Sequence, residues 1–225
     1  MSEPVLFHWP LNASFGRTVP KAKIYQHGNV RTTLRERFVE EVQRVTWAYK
    51  LAEDTIRLRG TAAVPEIQVF AVEAKGADVS DGVLAAIDKT VHFPVIFEVG
   101  GSDRVRTVAA QKTLGKTPTI GTYFTTAWQP ADAPRRTLPT VLDLPSLYEA
   151  ILASLLPVPS RVGETVRQVA DRLDRAAKLR REIAALERKL RNEPQLNRKI
   201  DLRRQLKELD FGLAELTDPA PSTGG

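Results

Sequence analysis

The sequence contains no cysteine and only three histidines in 225 residues. The absence of thiols excludes disulfide frameworks, thiolate nucleophiles, iron–sulfur clusters and zinc sites that depend on sulfur ligands. His8, His27 and His92 lie in three separate segments, outside the short spacing that is typical of a metal site. We therefore interpret each histidine as a capping or packing residue, and the sequence predicts neither a metal nor a cofactor.

Long apolar segments are also missing. No run of about 18 apolar residues, the length that suggests a membrane-spanning helix, occurs in the chain. The N-terminal Met1-Ser2-Glu3-Pro4 lacks the basic and apolar regions of a signal peptide. We therefore expect a cytoplasmic protein that does not enter a membrane.

Two common catalytic patterns are absent as well. The chain has no Gly-x-Ser-x-Gly, and Gly100-Gly101 lacks both the Walker spacing and the spaced glycines of a dinucleotide site. These absences argue against serine-triad chemistry and against nucleotide hydrolysis by this chain alone. Since thiols and clustered histidines are missing too, we expect a binding subunit rather than an enzyme.

The pattern over residues 1–160 is typical of an α+β domain with an N-terminal arm, in which helices pack a mixed sheet of about four strands. β-branched and aromatic runs predict the strands, and amphipathic spacing predicts the helices. The strand, helix, strand order predicts parallel pairing of the first two strands. Strands are predicted at 66–72, 95–99, 104–110 and 122–128, and helices at about 33–53, 78–91 and 142–156.

The first predicted helix, over about 33–53, depends on two signals. Thr33 and Glu36 have the spacing of a capping box. Apolar residues then recur at steps of three and four, which is the period of one helix face. They are Leu34, Phe38, Val42, Val45 and Tyr49.

Beyond a boundary near residue 160, marked by Pro157 and Pro159, the composition shifts to Arg, Leu, Ala, Glu and Lys. Apolar residues recur at steps of four and three on both sides of Asn192-Glu193-Pro194, where proline interrupts the helix. This pattern predicts an antiparallel helical hairpin, a coiled coil, over residues 161–217, and then a disordered tail over 218–225.

The apolar stripe of this hairpin is the first candidate binding surface. Such stripes drive the association of helices. Part of this stripe closes the hairpin itself, and the remainder favours self-association through the hairpin or docking of a protein partner. The predicted partner-binding residues are Leu179, Ile183, Leu186, Leu190, Leu206 and Leu209.

The hairpin also concentrates the basic charge. Residues 161–210 hold 15 Lys plus Arg and 9 Asp plus Glu, a surplus of 6 that equals the net charge of the whole chain. Cations of this kind favour contact with DNA or RNA phosphates, but the interspersed acids are also typical of an ordinary solvated coiled-coil face. The candidate nucleic-acid-binding residues are Arg172, Arg175, Lys178, Arg181, Arg188, Lys189, Arg198, Lys199, Arg203 and Arg204.

An enzymatic alternative depends on Glu66, Glu73 and Lys75. Glu73-Ala74-Lys75 at a strand end is half of a metal-dependent nuclease pattern, in which carboxylates hold Mg²⁺ and the lysine supports the attacking water. The aspartate of a preceding strand is missing, and the plain interpretation is a strand end that reaches solvent. The nuclease hypothesis requires these side chains to converge on one metal position.

The segment from Phe15 to Tyr25 places three cations, Arg17, Lys21 and Lys23, between aromatic residues. Aromatic rings next to cations are suited to stacking on bases and holding phosphates. The alternative is a packed arm whose lysine and arginine stems lie on the core.

Several long segments share one family resemblance: Phe15-Gly16-Arg17, Pro20-Lys21, Lys23-Ile24-Tyr25, 64–70, 93–98, 108–112, 123–130, 132–135 and 195–199. Together they resemble the bacterial domain-of-unknown-function 4391 family over about residues 12–216. The family has no assigned catalytic residues, and its members are often encoded near helicases and DNA methyltransferases in restriction-like or phage-defence loci. The resemblance therefore implies a DNA-linked complex with a helicase or methyltransferase as partner.

These observations lead to one expected function and two alternatives. We expect a non-catalytic accessory subunit of a bacterial DNA-processing, restriction-like or phage-defence complex. The alternatives are a diverged Mg²⁺-dependent nuclease and a sequence-nonspecific nucleic-acid-binding module.

Overall fold

The computed structural model of the protein describes residues 4–27, 31–158 and 160–217. The chain divides into two compact units, Met1–Val158 and Pro159–Gly225. The predicted disordered tail, 218–225, lies outside the described residues.

The first unit is an α+β domain built on a mixed sheet. Its strands are β1 (Leu6–Phe7), β2 (Ser14–Thr18), β3 (Val42–Ala52), β4 (Glu66–Ala74), β5 (Val95–Gly100), β6 (Arg104–Thr113), β7 (Thr119–Thr125), β8 (Gln129–Pro130) and β9 (Arg135–Arg136). Its helices are α1 (Lys21–His27), α2 (Thr32–Glu41), α3 (Glu53–Ile56), α4 (Asp81–Thr90) and α5 (Leu144–Leu155).

The main sheet has the strand order β2-β3-β4-β5-β6-β7, and the short β8 also pairs with β6. All of these pairs are antiparallel except β4 with β5, which are parallel and joined through α4. The predicted parallel pairing is therefore confirmed. The mixed sheet itself is also confirmed, although it has seven strands rather than about four.

Helices cover both faces of this sheet. On one face, Ile24 of α1, Phe38 of α2 and Ile87 of α4 are buried with Phe70 and Phe97 of the central strands. On the other side, α5 packs against β4, β6 and β7 with buried residues that lie outside that cluster. This layering is the expected outcome for strands that are apolar on both faces.

The predicted helix over about 33–53 is wrong in its second half. Helix α2 ends at Glu41, and Val42–Ala52 forms β3, the longest strand of the sheet. Arg31 precedes the helix without a side-chain cap, so the expected capping box is not formed. The register of β3 against β4 shifts twice, between Val42 and Arg44 and between Trp47 and Tyr49. A bulge adds one residue to a strand, so two residues on the same face can be three positions apart instead of two. In the sequence this spacing resembles that of a helix.

The predicted N-terminal arm contains regular secondary structure. It contains β1, β2 and α1, and β1 pairs in parallel with β9 as a separate two-stranded sheet. Leu6, Phe7 and Trp9 are buried and attach this segment to the core.

The second unit is a helical hairpin of α6 (Val166–Asn192) and α7 (Leu196–Thr217). Thr165 caps α6 through a capping box with Gln168. The turn falls at Glu193–Gln195, where the sequence predicted it. The two helices pack together, and Arg172 near the start of α6 donates to the Leu216 carbonyl near the end of α7, so they are antiparallel. The predicted helical hairpin is confirmed.

None of the helices within the described ranges has the length and apolar character required to cross a membrane.

Candidate functional site

The predicted partner-binding stripe lies along the inner side of the hairpin. All six of its residues are half-buried rather than exposed. A Cβ atom added to Gly212 of α7 would lie 3.7 Å from the Cδ1 of Leu179 on α6. The two helices are therefore in close contact at this stripe. The stripe therefore stabilises the hairpin, and its role in binding a partner stays a prediction.

The predicted nucleic-acid contacts divide into two groups. Eight of the ten side chains are exposed and Lys199 is half-buried, whereas Arg172 is buried. The Arg172 guanidinium donates to both carboxylate oxygens of Glu164, at 2.8 and 2.9 Å, and to the Leu216 carbonyl at 2.9 Å. Because its donors are used within the hairpin, Arg172 is corrected from a phosphate contact to a structural residue.

The outer side of α7 is a surface that the sequence analysis missed. Leu196, Ile200 and Phe211 are 68%, 55% and 67% exposed. At 3.6 residues per turn these three positions fall within about 60° of one another, on the side of α7 away from its leucine stripe. Arg203 and Lys207 share that side and are exposed. A helical projection of the whole segment would have revealed this surface, which we call the outer α7 face.

The nuclease residues do not come together. Glu66 begins β4 and Glu73 stands seven residues later, so roughly 23 Å of strand separates them. Glu66 contacts Gln68 and Lys50, whereas Glu73 forms an ion pair with Arg44 on β3. The Nζ of Lys75 donates to the Val39 carbonyl at 2.6 Å, at the end of α2. Each group is engaged in a separate local contact.

No group of three or more His, Asp or Glu side chains suited to a metal ion occurs in the described part of the chain. The carboxylate of Glu41, the last residue of α2, accepts a hydrogen bond from the Ser80 backbone N–H at 2.7 Å and is therefore also engaged locally. The geometry thus gives no support to a metal held by Glu66 and Glu73 together.

A cleft of about 410 Å³ opens on the α4 side of the sheet, at the β2 edge. Strands β2, β3 and β4, helix α1 and the end of α4 supply its walls. Four aromatic rings and three basic side chains line it, and none of the described lining residues is acidic. We call this site the aromatic cleft. Its lining residues used below are Phe15, Arg17, Lys23, Trp47, Gln68, Phe70, His92 and Phe93.

The aromatic cleft is built on stacked rings. The Phe15 and Trp47 ring centroids lie 3.9 Å apart, and the Trp47 and Phe70 rings are nearly parallel at 6.2 Å. The Trp47 indole N–H donates to the Tyr49 carbonyl at 3.0 Å, which fixes the orientation of the ring. The Arg17 guanidinium lies 4.9 Å from the Phe15 ring centroid. Phe15, Arg17 and Lys23 come from the segment that the sequence analysis singled out, while the other walls come from distant parts of the chain.

Lys21, the third cation of that segment, has a different role. Its Nζ donates to the carbonyls of Phe38 and Val42 at the end of α2. Burial lowers the pKa of Lys21, and the charge of Lys75 lowers it further. Two lysines therefore hydrogen-bond the terminal carbonyls of α2, where cations are favourable, and Lys21 serves as a helix cap.

A cluster of titratable groups with perturbed pKa values lies in the core. The Lys112 Nζ donates to the Asp88 Oδ1 at 2.8 Å and to the carbonyls of Asp88 and Val91. The Tyr123 hydroxyl donates to the Asp88 Oδ2 at 2.7 Å. Burial raises the pKa of Asp88 and lowers that of Lys112, because each charged form loses water. Since the three ammonium protons and both carboxylate oxygens are engaged, this cluster is structural rather than a reaction centre.

Fold and surfaces together define an α+β protein that carries a basic helical hairpin, an exposed apolar helix face and an aromatic cleft. The chain belongs to the domain-of-unknown-function 4391 family, whose model matches residues 7–213. No curated protein and no solved structure matches the chain. The family resemblance seen in the sequence is confirmed.

Proposed function

We propose that the protein is a non-catalytic accessory subunit of a bacterial DNA-processing, restriction-like or phage-defence complex in the cytoplasm. The hairpin docks a protein partner, a helicase or DNA methyltransferase, and the outer α7 face provides the contact. The observation that carries this proposal is the exposure of Leu196, Ile200 and Phe211 on one side of one helix.

Large apolar side chains that are grouped on a surface are a feature of protein interfaces. The helical hairpin already has an inner apolar stripe that closes it, so the outer α7 face is not needed for its internal packing. An amphipathic helix that presents such a face fits into an apolar groove of a partner. Arg203 and Lys207 beside it favour a groove with an acidic rim.

The charge around the hairpin turn also favours a protein partner. A groove of about 670 Å³ is lined by Arg188, Lys189 and Arg198, and also by Glu193 and Asp201. Carboxylates within the groove weaken its attraction for phosphates, whereas mixed charge is common at the polar rim of protein interfaces.

Affinity purification from the native host tests the proposal. The wild-type chain, expressed from its own locus, should retain a helicase or methyltransferase encoded beside it. A variant with Leu196→Gln, Ile200→Gln and Phe211→Gln should lose that partner. The matched control is Val39→Gln with Leu142→Gln, which changes exposed apolar residues of the first unit and should retain the partner.

Two results would overturn the proposal. One is equal recovery of the partner by the triple variant and the control. The other is cleavage of DNA by the isolated chain without any partner.

The exposed cations favour one second function, a sequence-nonspecific nucleic-acid-binding module. Since each neutralised phosphate releases counterions, affinity for duplex DNA should then fall steeply with salt. Replacing Arg198, Arg203 and Arg204 with glutamine should reduce the slope of log affinity against log salt by about 3. If the replacements leave this slope unchanged, the hairpin does not contact the nucleic acid.

A further inference from the structure

We propose that the aromatic cleft binds a nucleotide unit, an aromatic base that bears a phosphate, either as a free nucleotide or as part of a single strand. The site lies wholly in the first unit and requires no partner protein. This inference is independent of the proposed docking function.

The cleft has the size of a small-molecule site. Its volume of about 410 Å³ falls within the roughly 300–1,000 Å³ typical of ligand pockets. Apart from Gln68 its floor is apolar, since Phe70 and Ile24 are buried there, and its rim is polar. A ligand with one flat apolar part and one charged part matches this division.

The rings supply the surface for the base. Phe15, Trp47 and Phe93 are half-buried, so each leaves part of its ring accessible in the cleft. Bases stack on such rings, and stacking contributes about 1–3 kcal/mol per base irrespective of sequence. Trp47 is held by its bond to the Tyr49 carbonyl, which means that the stacking surface exists before a ligand arrives.

The cations supply the phosphate site. Arg17 and Lys23 are exposed at the rim, and neither forms an ion pair with any residue that the structure describes. Their charge is therefore available to an anion, in contrast to that of Lys21, Lys112 and Arg172. Arginine that lies on a ring can also contact a phosphate through its planar donors.

Gln68 supplies a polar group at the floor. It is 5% exposed, and its amide nitrogen donates to the Glu66 Oε1 at 2.5 Å. A carboxylate only accepts, so the nitrogen faces Glu66 and the carboxamide oxygen faces elsewhere. That oxygen has no hydrogen-bond partner among the described residues, so it is free to accept a hydrogen bond from a ligand. An exocyclic amino group, as in adenine or cytosine, would satisfy it, whereas thymine and uracil have no such group.

The test measures binding by the full chain. Labelled single strands of about 12 nucleotides are used, made of dA, dC, dT or abasic units, with dAMP and inorganic phosphate as free ligands. Any phosphate affinity of the hairpin appears equally with the abasic strand. The difference between the dA and abasic strands therefore reports on the aromatic cleft alone, and failure of the docking proposal would not change it.

Three variants assign the binding to named groups. Phe15→Leu keeps an apolar side chain but removes a ring, and should weaken binding of the dA strand about 5-fold or more, while Phe15→Tyr should bind as the wild type does. Arg17→Gln with Lys23→Gln should weaken binding and reduce the salt slope by about 1.4, since each phosphate contact on a single strand contributes about 0.7. The control, Arg37→Gln with Lys89→Gln, removes the same charge from exposed helix positions outside the cleft and should leave binding unchanged.

The outcomes are distinct. Tighter binding of dA and dC strands than of dT and abasic strands supports the site. Binding of dAMP would indicate that the natural ligand is a free nucleotide rather than part of a strand. The proposal is overturned if the abasic strand binds as well as the dA strand and dAMP does not bind. It is also overturned if Phe15→Leu, folded by circular dichroism, binds like the wild type, or if the control loses as much affinity as the cleft variant.

Discussion

Lys112 and Asp88 form an ion pair at 2.8 Å in the core of the first unit, with side chains that are each 1% exposed. The pair joins the end of α4 to the end of β6, the strand beside the edge strand β7, because Lys112 is the second-last residue of β6. Lys112 also donates to two carbonyls near the end of α4, and the Tyr123 hydroxyl on β7 donates to the other carboxylate oxygen of Asp88. One buried cluster thus fixes a helix against two strands.

The first prediction concerns this cluster. Asp88→Asn keeps the shape of the side chain but leaves the Lys112 ammonium buried without an opposite charge, so the free energy of unfolding should fall by about 3–5 kcal/mol. Urea unfolding followed by tryptophan emission measures the change. Asp132→Asn, at an exposed loop position, should change stability by less than about 0.5 kcal/mol. Equal stability of the two variants would refute the structural role of the pair.

The second prediction uses two glycines that differ in their surroundings. A Cβ on Gly60 would lie 2.6 Å from the carbonyl oxygen and 2.9 Å from the Cα of Pro65, and backbone atoms cannot rotate away. Gly60→Ala should therefore destabilise the protein by about 1–3 kcal/mol. A Cβ on Gly76 would meet nothing within 4 Å. Gly76→Ala should be neutral or stabilising by up to about 1 kcal/mol, because it restricts the unfolded chain.

Thermal unfolding of both glycine variants checks this contrast. The midpoint of Gly60→Ala should drop by several degrees while that of Gly76→Ala stays level or rises. A drop for both, or for neither, would contradict the close approach of Gly60 to Pro65.

The sequence predicts the elements whose pattern is local. The hairpin follows from the leucine spacing around Pro194, and the parallel β4–β5 pair follows from a strand, helix, strand order. The strand β3 was not predictable in this way, because the bulge between Val42 and Arg44 gives Val42 and Val45 a helical spacing. Its β-branched and aromatic content, Val, Thr, Trp and Tyr within 11 residues, was the better signal.

The candidate sites show the same limit. The segment with Phe15, Arg17 and Lys23 was recognisable from its composition. Trp47, Gln68 and His92 come from three other parts of the chain, and only the strand pairing brings them to the same cleft. Asp88 and Lys112 are likewise 24 positions apart, with no local pattern that links them. Long-range pairing determines such sites, and a single sequence contains no direct signal for it.

The third prediction concerns Glu98 on β5. The Trp9 indole N–H donates to its Oε1 at 2.8 Å, and the Arg135 Nη1 donates to the same oxygen at 2.6 Å. Arg135 also donates to the Phe7 carbonyl at 2.8 Å. Glu98 therefore attaches the two-stranded β1–β9 sheet to the main sheet.

Glu98→Gln removes the charge that strengthens both bonds, and should cost about 1–3 kcal/mol. Amide hydrogen exchange should increase first at residues 6–9 and 135–136. Glu149→Gln, which changes an exposed carboxylate of α5, should leave the exchange rates of those residues as they are in the wild type. Unchanged exchange in Glu98→Gln would show that β1 and β9 stay in place without this contact.

The last prediction is a pH dependence of the hairpin. Two hydrogen bonds from Arg172, aided by the Arg161 backbone N–H, lower the pKa of Glu164 to about 2. In the unfolded chain this carboxyl has an ordinary pKa of about 4.3. The unfolded state therefore takes up a proton first as the pH falls, so the stabilisation from Glu164 is complete above about pH 4.3 and is lost as the pH approaches 2.

Other carboxylates titrate in the same range, so the comparison with Glu164→Gln isolates this group. At neutral pH the variant should show faster amide exchange than the wild type at residues 161–175 and 213–217, because Arg172 loses its charged partner. As the pH falls from about 5 to about 2, the wild type should lose this advantage and the stabilities of the two proteins should converge. A difference that stays constant over that range would mean that Glu164 is not held in its charged form by Arg172, and that the open end of the hairpin is closed by other contacts.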